Sequence, residues 1–383
     1  MTGKERLETA LNHREPDRVP FDLGSMPFTG IVKVAYRAYD AYKGLGLGEP
    51  DTQDVKQQLA RCDPRLLDLL DVDTRPVSRG RLAKQHAALA VVDGYERFDD
   101  EWSFGWRRPV PHGLYFDLDH HPLARYEDLE SLRAWQPPDP RAAARFNGLV
   151  DEVDRIVAQG KAVVLGGMCA GIWEMALWLR GYDQFLLDMA ADPELADHLI
   201  GTMCDLKLAY WEEALKRVGP HVSVCYEADD LAAQEAPIVS PAMYRRLVKP
   251  HQKRLFSGIK SFAPHVKLAY HTDGAVWSLL PDLIELGVNA VNPVQVNAAG
   301  MGDTAALKRE FGRDLCFWGA GCDSQTVLPF GTPQQVREEV KRRVGDLAPG
   351  GGYVFAGVHN IQADVPPANL DAMWSTFREE AGY

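Results

Sequence analysis

Hydrophobic positions along the chain follow a repeated order, in which a short apolar run is followed by a longer amphipathic stretch. The short runs have the pattern of strands and start near residues 19, 69, 161, 222, 266, 290, 315 and 353, and a helical pattern follows each of them. Eight strand–helix units without a linker are typical of a TIM barrel. The sequence therefore predicts an α/β fold, a (β/α)8 barrel that spans residues 1–383 as a single domain.

The predicted helices differ in how clearly they are bounded. Apolar spacing predicts helices at 31–42, 55–70 and 141–159, and the first of these should end at the glycines that begin with Gly44. A helix is also predicted to start at Ser240, with serine as the N-cap and Pro241 in the first helical position.

Residues 89–120 interrupt this regular order. Short alternating segments separated by turn residues predict a β meander inserted on the barrel. Five aromatic residues fall within it: Trp102, Phe104, Trp106, Tyr115 and Phe116. Such rings could cover the barrel mouth, a second copy of the chain in a homodimer, or the flat face of a partner. A packed satellite core is the other reading, and the sequence leaves both open.

Composition narrows the class of protein. The 383 residues carry a formal net charge of −12, which argues against nucleic-acid binding because phosphates need clustered Lys and Arg. No apolar run approaches the roughly 18 residues of a membrane span. The amino terminus opens into a polar helix, and the six cysteines include no Cys-x-x-Cys pair. We therefore expect a cytoplasmic enzyme that acts on a small molecule.

Polar side chains follow the strands of the second half of the chain at the points where these strands end. They are Glu227, Asp229, Asp230, His271, Asp273, Asn292, Gln295 and His359. The carboxyl ends of barrel strands meet at one face, where barrel enzymes carry their active sites. We therefore expect these residues to form one site.

The two histidines and Asp273 suggest a metal site. His271 and Asp273 are two residues apart, so at a strand end both can face the barrel mouth. They could bind a metal, or they could form a hydrogen bond that holds a loop. His359 stands on a glycine-flanked strand end, where an imidazole is a poor packing residue, which favours a functional role.

For the remaining polar residues, the sequence allows either a functional or a structural role. Held close together, Glu227, Asp229 and Asp230 would repel one another unless a cation or a substrate amine lay between them, and one of the three is expected to cap a helix instead. Asn292 and Gln295 could hydrogen-bond a substrate or the backbone. Met168 follows two glycines at a strand end and is included among the substrate-binding candidates.

Four segments resemble motifs of the uroporphyrinogen decarboxylase superfamily. They are Tyr353–Asn369, with His359 in the position of the motif histidine, and Gly331–Val336, Ser240–Pro250 and Asn12–Pro20. The similarity covers nearly the whole chain and is weakest in the insertion. The resemblance implies a TIM barrel, in agreement with the strand count.

The superfamily has a decarboxylase branch that places arginines after the first strand, on the carboxylates of the porphyrinogen. The corresponding residues 22–31 contain no Arg, and the serine and tyrosine of that branch correspond to Ala228 and Leu177. Two positions carry over, because its pyrrole-binding aspartate corresponds to Asp73 and its motif histidine to His359.

The other branch contains zinc methyltransferases that work with a corrinoid on a separate protein. Its His-x-Cys and later Cys correspond to His271, Asp273 and His359, so both thiolates are replaced. Two histidines and one aspartate are a known type of ligand set for Zn²⁺ or another divalent metal. A metal held by these ligands prefers oxygen atoms of a substrate to thiols.

The resemblance implies a metal-dependent methyltransferase, with a small substrate and a separate corrinoid protein. In this reading His271, Asp273 and His359 hold the metal, and Glu227, Gln295 and Asp73 are catalytic candidates. Asp229, Asp230, Asn292 and Met168 are the substrate-binding candidates. The alternative is a decarboxylase-type carboxy-lyase that acts on uroporphyrinogen or a smaller acid. A third hypothesis is a non-catalytic barrel that binds a corrinoid partner.

Overall fold

The computed structural model describes residues 1–77, 89–126 and 128–383. Its strands are β1 (Thr52–Asp54), β2 (Leu59–Ala60), β3 (Thr74–Pro76), β4 (Ala90–Val92), β5 (Tyr95–Asp99), β6 (Gly105–Pro109), β7 (Asp117–His120), β8 (Ala162–Gly166), β9 (Val224–Ala228), β10 (Lys267–His271), β11 (Ala290–Asn292), β12 (Cys316–Ala320) and β13 (Tyr353–Ala356).

The helices include one that follows nearly every barrel strand. They are α1 (Gly3–Ala10), α2 (Lys33–Lys43), α3 (Pro64–Leu69), α4 (Leu129–Arg133), α5 (Leu149–Ala158), α6 (Ile172–Arg180), α7 (Tyr182–Ala191), α8 (Pro193–Val218), α9 (Pro241–Leu247), α10 (Lys249–Phe262), α11 (Leu280–Glu285), α12 (Thr304–Phe311), α13 (Val327–Phe330), α14 (Pro333–Leu347) and α15 (Pro367–Glu380). In the described ranges, no helix combines the length and the apolar character needed to cross a membrane.

Seven strands form one parallel sheet in the order β13-β12-β11-β10-β9-β8-β3. The segment around Phe21 lies between the two edges of this sheet and hydrogen-bonds to both. Phe21 pairs in parallel with Phe355, and its carbonyl oxygen accepts the Asp73 N–H at 2.9 Å. Pro20 has no N–H to donate, which limits this segment to an isolated bridge. The predicted strand near residue 19 is thus reduced to a bridge at the closing position, and the predicted TIM-barrel fold is confirmed.

Alternation along the strands divides the core into two layers. Leu268 and Tyr270 of β10 face the surrounding helices, whereas Ala269 packs inside the barrel with residues such as Val164 and Trp318. His271 has the parity of Ala269, so the two side chains lie on the same, inner face of the strand. A polar residue at the carboxyl end of β10 is thereby directed into the barrel mouth.

The predicted helix at 55–70 is wrong over its first half. Residues 55–63 instead form a turn and the short strand β2, which pairs with the chain at Val32. Ala60 donates its N–H to the carbonyl oxygen of Ile31 at 2.8 Å, so these peptide groups have partners outside a helix. Helix α3 begins only after Asp63, whose carboxylate accepts the Arg65 N–H as an N-cap.

The predicted helix at 141–159 is interrupted. A short 3₁₀ turn covers residues 143–146, and α5 begins after Gly148, whose φ of 72° lies in the left-handed region. Two other helix boundaries are confirmed. Helix α2 ends at Gly44, and Ser240 caps α9 by accepting the Met243 N–H.

The predicted insertion is confirmed as the antiparallel sheet β4-β5-β6-β7, although its strands are shifted relative to the expected segments. Its aromatic rings do not form an open flap. Trp102, Phe104, Trp106 and Phe116 are buried, and only Tyr115 of the five is exposed. The Trp106 indole N–H donates to Asp100 at 3.0 Å inside this cluster. The four buried rings belong to the same hydrophobic core as the barrel residues, so they offer no exposed surface to a partner, and the structure supports the packed-core interpretation.

Candidate metal centre

The structure brings the three predicted metal ligands together. His271 ends β10, Asp273 follows two residues later, and His359 follows β13; their ligand atoms lie within 4.8 Å of one another. The Asp273 Oδ2 is 4.0 Å from His271 Nε2 and 3.8 Å from His359 Nε2. These separations are too long for hydrogen bonds but shorter than about 4.2 Å, which is twice a typical zinc–ligand bond.

Asn292 determines which nitrogen of His271 faces this cluster. The Asn292 amide donates its N–H to the carbonyl oxygen of Trp318 at 2.9 Å, which identifies its Oδ1 as the acceptor 2.6 Å from His271 Nδ1. His271 Nδ1 therefore donates, and Nε2 keeps its lone pair. Burial lowers the pKa of His271, which favours the neutral imidazole that a metal requires. Asn292, expected to bind substrate, here orients a candidate ligand.

His359 is oriented in the same way. Its Nδ1 lies 2.8 Å from Asn360 Oδ1, and the Asn360 amide N–H donates to Gln57. The Nε2 of His359 is thus the nitrogen that faces Asp273. Phe28 stacks on the His271 ring, with centroids 3.6 Å apart and ring planes 7° from parallel. The side wall of the cluster is therefore aromatic.

Asp273 contains an unsatisfied atom. Its Oδ1 is buried and accepts no hydrogen bond. The loop that carries it is fixed by Gly274, which has a φ of 89° and where an added Cβ would approach the Ala232 carbonyl oxygen to 2.5 Å. Only glycine fits there without displacing the backbone. An unpartnered carboxylate oxygen beside two imidazoles is what a divalent cation would satisfy, so the donor set fits a metal.

The three carboxylates after β9 have separate environments. Glu227 points to the helix side, where Lys207 lies 2.7 Å away and the Trp211 indole donates at 2.6 Å. Asp229 accepts the Glu174 N–H at 2.7 Å in the first turn of α6, so the expected helix cap is confirmed at this residue. Burial raises the pKa of Asp229 to about 7. The structure thus does not bring Glu227 or Asp229 to the metal ligands.

Asp230 does belong to the cluster. Its Oδ1 accepts the Asp273 N–H at 2.9 Å and lies 3.8 Å from His271 Nε2. Burial, together with the charge of Asp273, raises the pKa of Asp230. This side chain is partly exposed, and it adds a second carboxylate beside the candidate ligands.

A cavity of about 440 Å³ opens beside Asp273 and His359. Gln295 lines it and accepts the Gly274 N–H through Oε1 at 2.7 Å, so Nε2 is the donor atom of this amide. Five side-chain amides contribute to the lining: Gln234, Gln295, Gln325, Asn360 and Gln362. Met168 is buried in the core after β8.

Asp73 lies at the other end of the barrel. It precedes β3, and its carboxylate accepts hydrogen bonds from Arg6 at 2.5 Å, from Arg18 at 2.8 Å and from the Phe21 N–H at 2.8 Å. The resemblance implies a catalytic role for Asp73. The structure does not bring it to the site.

Sequence reasoning missed two residues near the site. Phe28 lies in the loop after the bridge segment around Phe21, and nothing in the sequence pattern indicates that it stacks on His271. Glu174 lies in the first turn of α6, and burial and the charges of Asp230 and Asp229 raise its pKa well above the usual range. The one signal in the sequence is Gly171, three residues before Glu174, because glycine is among the residues that precede helices.

The fold and the cluster define an α/β-barrel protein with a candidate metal centre at the carboxyl ends of its strands. A sequence model of the uroporphyrinogen decarboxylase (URO-D) family matches residues 116–380, and the chain belongs to that family. It is an enzyme of this superfamily, of the decarboxylase or the methyltransferase type.

Relatives and a solved structure show similarity along nearly the whole chain. Uroporphyrinogen decarboxylases from Xanthomonas euvesicatoria pv. vesicatoria and Alkalilimnicola ehrlichii are 24% and 23% identical, over 97% and 96% of this chain and 97% and 92% of theirs. A methyltransferase from Methanosarcina mazei has the same fold, with a TM-score of 0.66, 18% identity and coverage of 99% of both chains.

Proposed function

We propose that this protein is a metal-dependent methyltransferase that moves a methyl group between a small substrate and a corrinoid carried by a separate protein. The observation that carries the proposal is the convergence of His271, Asp273 and His359 beside a cavity at the barrel mouth. The metal would be Zn²⁺ or another divalent ion, because two imidazoles and a carboxylate suit such ions.

A divalent ion bound by these donors supplies a Lewis acid that polarises a substrate oxygen atom. The chain's own residues prepare the site for it. Asn292 holds His271 with Nε2 directed at the cluster, and Asn360 does the same for His359. Gln295 presents an amide to the cavity, where its N–H can orient an oxygen-bearing substrate.

In the proposed transfer, a methyl group moves from an oxygen atom of the substrate to the cobalt of the corrinoid. A Co(I) corrinoid supplies the electron pair of the new cobalt–carbon bond, and the O–CH₃ bond of the substrate breaks. The substrate oxygen keeps the bonding pair and takes a proton from water. The cavity of about 440 Å³ is large enough for a small substrate.

The structure gives less support to decarboxylation of uroporphyrinogen. Residues 22–31 contain no arginine, and the loop places Phe28 on His271. In the described part of the chain, the cavity lining contains neither Lys nor Arg. Each substrate carboxylate left unpaired would cost on the order of 1–3 kcal/mol, so a polycarboxylate would bind poorly.

Methyl transfer can be tested with free cob(I)alamin in place of the corrinoid protein. We expect zinc-loaded protein to transfer a methyl group from methanol or para-methoxybenzyl alcohol to cob(I)alamin. The rate is measured as the loss of cob(I)alamin absorbance. His271→Ala should lower the rate by about 100-fold or more, because a ligand is lost. An equal rate in His271→Ala, or release of CO₂ from uroporphyrinogen by the wild-type protein, would contradict the proposal.

A further inference from the structure

We infer that the substrate of this cavity carries no anionic group and is a neutral, hydroxyl- or ether-bearing molecule held by side-chain amides. Any reaction of this ligand rests on the proposed function, methyl transfer. The preference for a neutral ligand depends only on the residues that line the cavity. The inference therefore survives or fails on binding, independently of turnover.

The charges on the cavity wall support this assignment. Among the lining residues that the structure describes, the only ionisable side chains are those of Asp273 and His359. Within the described residues, the Oδ1 of Asp273 is buried without a hydrogen-bond partner, so no neighbouring donor stabilises this oxygen of the carboxylate. An anionic ligand would meet this carboxylate without a protein cation to offset it.

A second carboxylate stands behind the wall. Asp230 lies 3.8 Å from His271 Nε2. The buried Lys207 beneath this region is committed to Glu227 at 2.7 Å and to the carbonyl oxygen of Ala170 at 2.6 Å. A divalent ion would balance Asp273 and Asp230, which leaves no excess positive charge for an anion.

The amide lining matches a neutral polar ligand. A side-chain amide both donates and accepts hydrogen bonds, so it pairs with a hydroxyl or an ether oxygen without placing a charge in the cavity. Gln295 and Gln325 line the cavity on segments that follow β11 and β12. A carboxylate or a phosphate is normally recognised by Arg, Lys or a helix N-terminus, and the described lining offers neither basic side chain.

The test compares two ligands that share a ring and an ether and differ in charge. Binding of para-methoxybenzyl alcohol and para-methoxybenzoate is measured by calorimetry with zinc-loaded and with metal-free protein. We expect the alcohol to bind about tenfold or more tightly in both forms. Because the cause is electrostatic, the preference should shrink when the salt is raised to about 0.5 M.

A lysine in the cavity should change the preference. Gln325 is exposed at the rim, so Gln325→Lys should strengthen benzoate binding several-fold and leave the alcohol nearly unchanged. The matched control is Gln159→Lys, which adds the same charge at an exposed position just before β8, at the opposite end of the barrel. This control should bind both ligands as the wild type does.

Tighter binding of the benzoate in both forms of the wild type, or binding of neither ligand, would overturn the assignment. An equal gain in benzoate binding from Gln159→Lys and Gln325→Lys would also overturn it, because the effect would then not be local. Absence of cob(I)alamin methylation with the alcohol preference intact would count against the reaction and not against the ligand class.

Discussion

At the amino-terminal end of the barrel, Asp73 is fully buried and accepts hydrogen bonds from Arg6, Arg18 and the Phe21 N–H. At the carboxyl-terminal end, Asp273 has one buried oxygen with no hydrogen-bond partner and another 3.8 Å from the nearer of two imidazoles. Both are carboxylates beside strands of the same barrel. The first is satisfied by the protein, and the second is left for something else to satisfy. Satisfied charge indicates a role in stability, and unsatisfied charge at this face indicates a role in function.

The largest expected effect comes from breaking the satisfied end. Asp73→Ala leaves Arg6 and Arg18 without their buried partner, so the free energy of unfolding should fall by about 3–5 kcal/mol. Urea denaturation measures this change. Asp71→Asn is the control, because Asp71 also pairs with Arg18 at 2.7 Å but has a side chain that is 59% exposed, and asparagine tolerates its left-handed backbone. It should cost about 0–1 kcal/mol. Similar losses in the two variants would show that Asp73 is not a structural anchor.

A buried carboxyl group at the carboxyl-terminal end of the barrel should make the free energy of unfolding depend on pH. Burial raises the pKa of Asp229 to about 7, whereas an aspartate in the unfolded chain has a pKa of about 4. Below pH 4 the group is protonated in both states. Between about pH 4 and 7 only the unfolded chain ionises, so stability falls as the pH rises, and above pH 7 no further loss occurs.

Asp229→Asn should remove this contribution, which amounts to at most about 1.4 kcal/mol per pH unit. Asparagine can still accept the Glu174 N–H and donate to the Tyr270 hydroxyl, so the helix cap is preserved. Unfolding free energies measured between pH 4 and 8 give the slope, with Asp205→Asn as the control because Asp205 is 71% exposed in its side chain. An unchanged slope in Asp229→Asn would mean that Asp229 is ionised throughout the folded state.

The sequence was sufficient for the barrel and for the candidate ligands because both depend on local features. The strand spacing predicts eight units, and a polar residue that follows a strand is directed to one face. The direction of Glu227 was not predictable in this way. It is in register with Tyr270 and therefore faces the helices, and its partner Lys207 lies on α8, so only the tertiary structure brings the pair together.

Asp73 and residues 55–63 show two further limits. Asp73 lies at one end of the barrel if its strand begins at this residue and at the other end if its strand ends there. The sequence pattern alone does not locate strand boundaries to that precision. The helical pattern at 55–63 is overridden by backbone pairing with residues 31–33, which are distant in the chain. The sequence does not show whether the aromatic rings of the insertion are buried, because their burial depends on distant partners such as Trp178 and Trp135.

The most direct test of the contrast between the two ends is the zinc content of the protein. Protein saturated with zinc and freed of excess by gel filtration is analysed by elemental mass spectrometry, for the wild type and for Asp273→Ala. The geometry of His271, Asp273 and His359 predicts about one zinc ion per chain in the wild type and a small fraction of that in the variant. Equal zinc in the two proteins, or none in the wild type, would contradict a metal site at the carboxyl-terminal end.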